Sequence, residues 1–94
     1  MVGFLDLMLQ EKSRTLRIEE IGLGPASGWI GRTVGDLDLG TRYNLLLLAM
    51  KSTSDLSSPL MFNPSGSTTL AQDAVLILLG DVEDLRRARN DARR

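Results

Sequence analysis

The chain contains no cysteine and no histidine. Without cysteine there is no disulfide, no thiolate nucleophile and no cysteine-based zinc or iron–sulfur site, a pattern compatible with a reducing compartment. Without histidine the commonest general base, the commonest transition-metal ligand and most nucleophilic triads are excluded as well. Aromatic residues are scarce, 4% against 43% hydrophobic, so the core has to be built from Leu, Ile, Val and Met. Charge of one sign is also missing. Eleven Lys plus Arg against 12 Asp plus Glu leave a formal charge of −1, and no overall field draws in nucleic acid or acidic lipid. Long apolar runs are absent too: residues 45–50 and 74–79 are each about one strand long, well short of the roughly 20 residues that span a bilayer. Direct membrane insertion is not expected. The start of the chain lacks the basic flank and small-residue cleavage site of a signal peptide.

What remains is a chain of 94 residues, enough for one domain, which buries only about 60–65% of the surface its unfolded form exposes. A small aliphatic core of this kind favours self-association, and a homodimer is expected. Phe4, Leu5, Met8 and Leu9 recur at helical spacing, so residues 2–11 read as a short amphipathic helix. A helix of that length is marginal alone in water. Its apolar stripe has to dock on the domain, on a second copy, or on a preceding domain.

Residues 15–22 carry apolar Leu16, Ile18 and Ile21 with Glu19-Glu20 between them, which fits a strand with one solvated face. Residues 22–31 hold four glycines and a proline and read as a turn-rich loop with Trp29 and Ile30 pointing inward. Thr33 is suited to N-cap a short helix through Val34 and Leu37, with Asp36 at its positive end. Residues 44–51, with a run of four leucines, read as a buried strand. Residues 52–58 read as a polar hairpin loop, 59–63 as a short strand, 64–67 as a turn and 74–79 as a second buried strand ending at Gly80. Asp81 is placed to cap a last helix whose first turn holds Glu83 and Asp84 and whose later turns hold Arg86, Arg87 and Arg89, an order that complements the helix dipole. The five arginines from Arg86 to Arg94 are diluted by acidic neighbours and have no aromatic among them, so no nucleic-acid surface is expected.

Catalytic and cofactor motifs fail on spacing. Gly22-Leu23-Gly24 would open a dinucleotide fingerprint, but Ser27 stands where the third glycine is needed and Pro25 interrupts the turn. No Gly-Lys-Ser/Thr of a P-loop occurs. Asp36 and Asp38 diverge on a helix and lack the further oxygen ligands of a calcium loop. Glu19 and Glu20 face opposite sides of a strand, which precludes the facing carboxylates of glycoside hydrolysis. No metal site and no enzyme activity are expected.

The order of the remaining features resembles a known family. Glu20-Ile21 followed by Ser27-Gly28-Trp29-Ile30-Gly31-Arg32-Thr33-Val34-Gly35-Asp36-Leu37 resembles the signature of the RCK C-terminal (TrkA C-terminal) domain: strand, serine-containing loop, Gly-Lys/Arg-Thr, short helix. Tyr43-Asn44 with Leu47-Leu48-Ala49-Met50-Lys51, then Asn63-Pro64, Thr68, Leu70 and Val75-Leu76-Ile77-Leu78-Leu79-Gly80, resemble its later segments. The resemblance covers residues 16–80. It implies an α+β fold with a small antiparallel or mixed sheet, a short helix after the first strand and a C-terminal helix.

It further implies a dimeric regulatory domain on the cytosolic side of a membrane-attached potassium channel or uptake system, joined to upstream nucleotide-binding and pore domains and coupling a ligand or partner state to gating. A ligand-free scaffold or regulator of another cation transporter or antiporter is the alternative. On this resemblance residues 1–13 form a linker or interface helix from an upstream domain, bearing Phe4, Leu5, Met8 and Leu9, and residues 14–94 form the regulatory domain. Arg42, Tyr43, Asn44 and Leu45 are the implied ligand-binding residues at a dimer interface. Relatives that bind cyclic di-AMP place an arginine where this chain has Gly40, so no cofactor is expected and cyclic di-AMP is disfavoured. Asn44 replaces a family glycine and tolerates positive φ better than most residues.

Overall fold

A computed structural model describes residues 15–54, 57 and 59–94. The expected N-terminal helix, with Phe4, Leu5, Met8 and Leu9, lies outside the described residues. The elements run β1 (Leu16–Gly22), α1 (Val34–Leu37), α2 (Leu39–Tyr43), β2 (Leu46–Ser52), β3 (Met61–Phe62), β4 (Ala74–Asp81) and α3 (Val82–Ala92). The strands form one antiparallel sheet in the order β1-β4-β2-β3. The α+β class, the short helix after the first strand and the C-terminal helix are as the sequence leads one to expect.

The apolar run of β4 takes the centre of the sheet because both its faces are covered, and Leu76 and Leu78 are fully buried. On the inner face α3 lies over the sheet with Leu85, Ala88 and Ala92 turned inward. Alanine at two of these positions lets helix and sheet approach closely. Asp81 caps this helix, its side chain accepting from the Glu83 N–H at 2.9 Å, and Glu83 and Asp84 occupy the first turn as anticipated. At α1, Thr33 and Asp36 form a reciprocal capping box, with the Asp36 N–H donating to Thr33 Oγ1 at 3.1 Å and the Thr33 N–H to Asp36 Oδ2 at 3.3 Å. Trp29, Leu37, Leu39, Tyr43 and Leu70 complete the core.

Two connections hold the loops to this core. Residues 31–35 run beside 66–70 through N–H to carbonyl bonds from Gly31 to Leu70, Leu70 to Arg32, Val34 to Thr68 and Gly35 to Gly66. A Cβ at Gly35 would stand 3.0 Å from the Gly66 carbonyl oxygen, so any side chain there would push the two segments apart by a few tenths of an ångström. The glycine-rich loop after β1 is tied to the end of α3 by the Gly24 N–H donating to the Ala92 carbonyl at 3.1 Å. Trp29 is buried there as expected, whereas Ile30 is only partly covered.

Three details depart from the sequence expectation. The leucine run does not form a uniformly buried strand: β2 starts at Leu46, which is 47% exposed. A bulge between Leu47 and Ala49 shifts the register, so Leu46 and Ala49 pair with Leu79 and Ile77 on the outer face. In β1, Ile18 faces away from the core at 60% exposure while Ile21 is buried. Glu19 occupies the inner row opposite Leu78, where its carboxylate accepts from Arg89 of α3. Finally, α2 was not foreseen, because it is only five residues long and is bounded by left-handed residues rather than by a sequence cap.

Candidate functional site

The segment from Asp38 to Leu45 holds the residues expected to meet a ligand. Asp38 and Asn44 both adopt left-handed backbone, at φ 48° and 56°, and between them Leu39–Tyr43 makes one turn of helix. The Asn44 N–H closes this turn on the Leu39 carbonyl, and the Leu45 N–H donates to the same carbonyl at 3.2 Å. Asn44 thus takes the positive φ anticipated for a residue replacing glycine.

The left-handed ends separate the side chains into two sets. Tyr43 and Leu45 turn inward and are buried, while Gly40, Thr41, Arg42 and Asn44 face solvent. Of the four expected ligand residues, only Arg42 and Asn44 therefore present side chains at the surface, and Tyr43 and Leu45 offer backbone. Leu45 packs over Gly80 of β4, where a Cβ would lie 2.3 Å from Leu45 Cδ2. At Gly40 a Cβ would meet nothing within 4 Å, so that position has room for a side chain and lacks only the chemistry.

Tyr43 anchors the loop. Its hydroxyl donates to Asp91 Oδ2, the Arg87 guanidinium sits 5.4 Å from its ring centroid, and Trp29 meets it edge-on at 6.0 Å. Burial, followed by the hydrogen bond to the Asp91 carboxylate, raises the Tyr43 pKa above the ordinary tyrosine value. The loop is thereby joined to α3 and, through Trp29, to the segment after β1. Sequence reasoning missed Asp91 and Arg87 as parts of this arrangement. Their spacing of four on one helix face was visible, but nothing local links them to a tyrosine 48 positions away.

A separate surface concavity of about 170 Å³ lies between β2, β3 and the turn before β4, near Met50, Lys51, Thr69 and Asp73. Ligand pockets usually span about 300–1,000 Å³, so this hollow is too small to enclose a dinucleotide. Beside it the Asp73 carboxylate accepts from the Ser52 and Ser54 hydroxyls, with the Ser52 bond foremost in holding its pKa below the ordinary value. Among the described residues no group of acidic side chains is arranged to hold a metal, and no helix is long and apolar enough to cross a membrane.

Residues 18–92 match the family model of the TrkA-C domain. No curated protein matches the chain. Among solved structures, the RCK_C domain dimer of S. agalactiae BusR in complex with c-di-AMP is similar with a TM-score of 0.67 at 16% identity, covering 79% of this chain and 92% of that one. The RCK C domain of the potassium transport protein KtrA in complex with c-di-AMP gives 0.61 at 19% identity, covering 93% of each chain. The GsuK RCK domain gives 0.65 at 22% identity and covers 94% of this chain, which spans only 20% of the GsuK length. BusR bound to its busAB-promotor DNA also matches, with a TM-score of 0.67 at 18% identity over 90% of this chain and 42% of that one. At these identities the likeness is one of fold.

Proposed function

Because the chain belongs to the TrkA-C domain family, we propose that it is the dimerising regulatory domain of a potassium channel or potassium uptake system and performs no chemistry of its own. Its task is to pass a ligand or partner state to the elements attached to it. The observation that carries this reading is the clamp at Tyr43. A ligand or a second copy pressing on Arg42 or Asn44 moves a segment whose central side chain is tied to Asp91, Arg87 and Trp29. The disturbance therefore reaches α3 and the glycine-rich loop. A ligand shifts such an equilibrium only by its differential affinity for the two arrangements, and a loop joined to both elements can supply that difference.

The ligand surface in this proposal is the exposed set Gly40, Thr41, Arg42 and Asn44 at an interface between copies, with backbone from Tyr43 and Leu45. KtrA and BusR have been seen with c-di-AMP. Here Gly40 removes a guanidinium, the group best suited to phosphate, so tight cyclic di-AMP binding is not part of the proposed function. Light scattering of the full chain at micromolar concentration is expected to give a dimer, and a strict monomer would count against the coupling. Calorimetric titration with cyclic di-AMP is expected to give no tight binding for the wild type and measurable binding for Gly40→Arg. Tight wild-type binding would overturn the assignment of Gly40.

A second reading is favoured by the likeness to BusR in complex with promoter DNA: the same domain serving a DNA-binding regulator. In that case DNA contacts would belong to another part of the protein. Three arginines of α3 are engaged in ion pairs, Arg86 with Glu83, Arg87 with Asp84 and Arg89 with Glu19. Potassium uptake by cells carrying or lacking the full gene separates the two, since only the first reading expects growth at limiting potassium to depend on it.

A further inference from the structure

The hollow between β2, β3 and the turn before β4 has two unlike walls. Met50, Pro59, Met61 and Ala71 give it a hydrocarbon side, and Ser52 and Asp73 a polar one. The polar side is fixed by its own bonds. Ser52 and Ser54 both donate to Asp73 Oδ2, while the Thr53 N–H and hydroxyl donate to the Asp73 carbonyl at 3.0 and 3.2 Å. The two serine bonds favour the charged form of the carboxyl. Its other oxygen, Oδ1, accepts from none of the described residues, and none of their cations pairs with it. Lys51 also borders the hollow, but its ammonium is engaged by Glu20 at 2.6 Å. An oriented, uncompensated carboxylate therefore stands beside a hydrocarbon wall.

We propose that this hollow binds a short aliphatic primary ammonium ion, its nitrogen donating to Asp73 Oδ1 and its hydrocarbon lying against Met50, Met61 and Ala71. Liquid water takes about 30 Å³ per molecule, so a hollow of about 170 Å³ has room for roughly five or six heavy atoms. That is the size of butylammonium or pentylammonium. The two methionine side chains are unbranched and adapt readily to such a chain, and a charge-assisted bond to the carboxylate fixes its polar end. A metal ion suits the hollow less well. Among the described residues no group of acidic side chains converges to hold one, and the hydrocarbon wall would go unused. An anion would meet the uncompensated carboxylate. Because the volume matches a whole molecule of this size, the ligand is a free amine rather than the end of a partner's side chain. The site shares no lining residue with the Arg42 and Asn44 surface, so it stands or falls independently of the dimer interface.

Titration of the full chain with pentylammonium chloride, followed through the amide shifts in NMR spectra, tests this. Saturable shifts are expected at Ser52, Thr69, Ala71 and Asp73 at millimolar ligand. Pentanol carries the same hydrocarbon without the charge and is expected to bind at least about tenfold more weakly. Asp73→Asn keeps the shape of the side chain and is expected to weaken the ammonium at least about tenfold while leaving pentanol unchanged. Met61→Ser, at a position that is 50% exposed, is expected to weaken both ligands alike. Unchanged amide shifts at Leu76 and Leu78 report an intact core in each variant. Shifts that fail to saturate, pentanol binding as tightly as the ammonium, or wild-type affinity in Asp73→Asn would each overturn the proposal. Tighter binding of a lysine capped at both ends would assign the hollow to a protein partner and overturn it as well.

Discussion

Replacing Tyr43 by phenylalanine removes one atom from the loop clamp and leaves the rest of its packing in place. The ring keeps its edge contact with Trp29 and its place beneath Arg87, so no cavity opens. What disappears is the hydroxyl's bond to the Asp91 carboxylate. Hydrogen bonds to charged groups contribute about 1.5–3 kcal/mol; Asp91 is half-buried and water can replace part of the loss, which brings the expected cost to about 1–2 kcal/mol. For a domain of this size that lowers Tm by roughly 4–16 °C. Urea unfolding followed by the emission of the single tryptophan, which is buried against Tyr43, reads the change directly. A double-mutant cycle with Asp91→Ala isolates the pair and is expected to give a coupling of about 1 kcal/mol. If the two substitutions prove additive, the phenol and the carboxylate do not form the clamp and the proposed route from loop to helix fails.

Alkaline pH probes the same group. Because the folded pKa of Tyr43 is raised above its unfolded value, the associated stability is complete below the unfolded pKa near 10 and is lost as pH rises through the folded pKa; Tyr43→Phe is expected to flatten that alkaline decline in urea titrations. Gly80→Ala places a Cβ against Leu45, itself only 5% exposed, and is expected to cost about 1–3 kcal/mol through overpacking. Shortening Leu45 to alanine in the same background is expected to recover part of that loss, measured by thermal unfolding. On the acid side the pKa of Asp73 is lowered, with the Ser52 bond the main cause. Its contribution is present above the unfolded pKa and lost as pH falls through the folded one. Ser52→Ala is expected to move the Asp73 carboxyl titration, followed by NMR, upward toward the usual carboxylate range.

Much of this fold was legible because its signals are local. The capping box at Thr33 and Asp36, the Asp81 cap, the apolar run of β4 and the positive φ of Asn44 each depend on neighbours within a few positions, where side-chain chemistry and backbone sterics act directly. The outer-face exposure of Ile18 and Leu46 was not legible. It depends on a bulge within β2 and on which face α3 selects, and an alternating pattern identifies two faces without saying which one a helix will cover. For the same reason Glu19 and Glu20 could be placed on opposite sides of a strand without saying which of them meets a helix; it is Glu19, paired with Arg89 of α3.

By itself the sequence determined that cysteine and histidine chemistry is unavailable to these 94 residues and which family pattern they follow. Absent residue types exclude chemistry wherever the chain goes, and a signature of caps, turns and apolar runs survives in linear order. Only the tertiary structure decided that Tyr43 and Leu45 turn into the core while Arg42 and Asn44 face outward. It also decided that Tyr43 finds Asp91 at a separation of 48 residues. Such partners are set by how a helix lies on a sheet, which is a property of packing and leaves no mark within either segment.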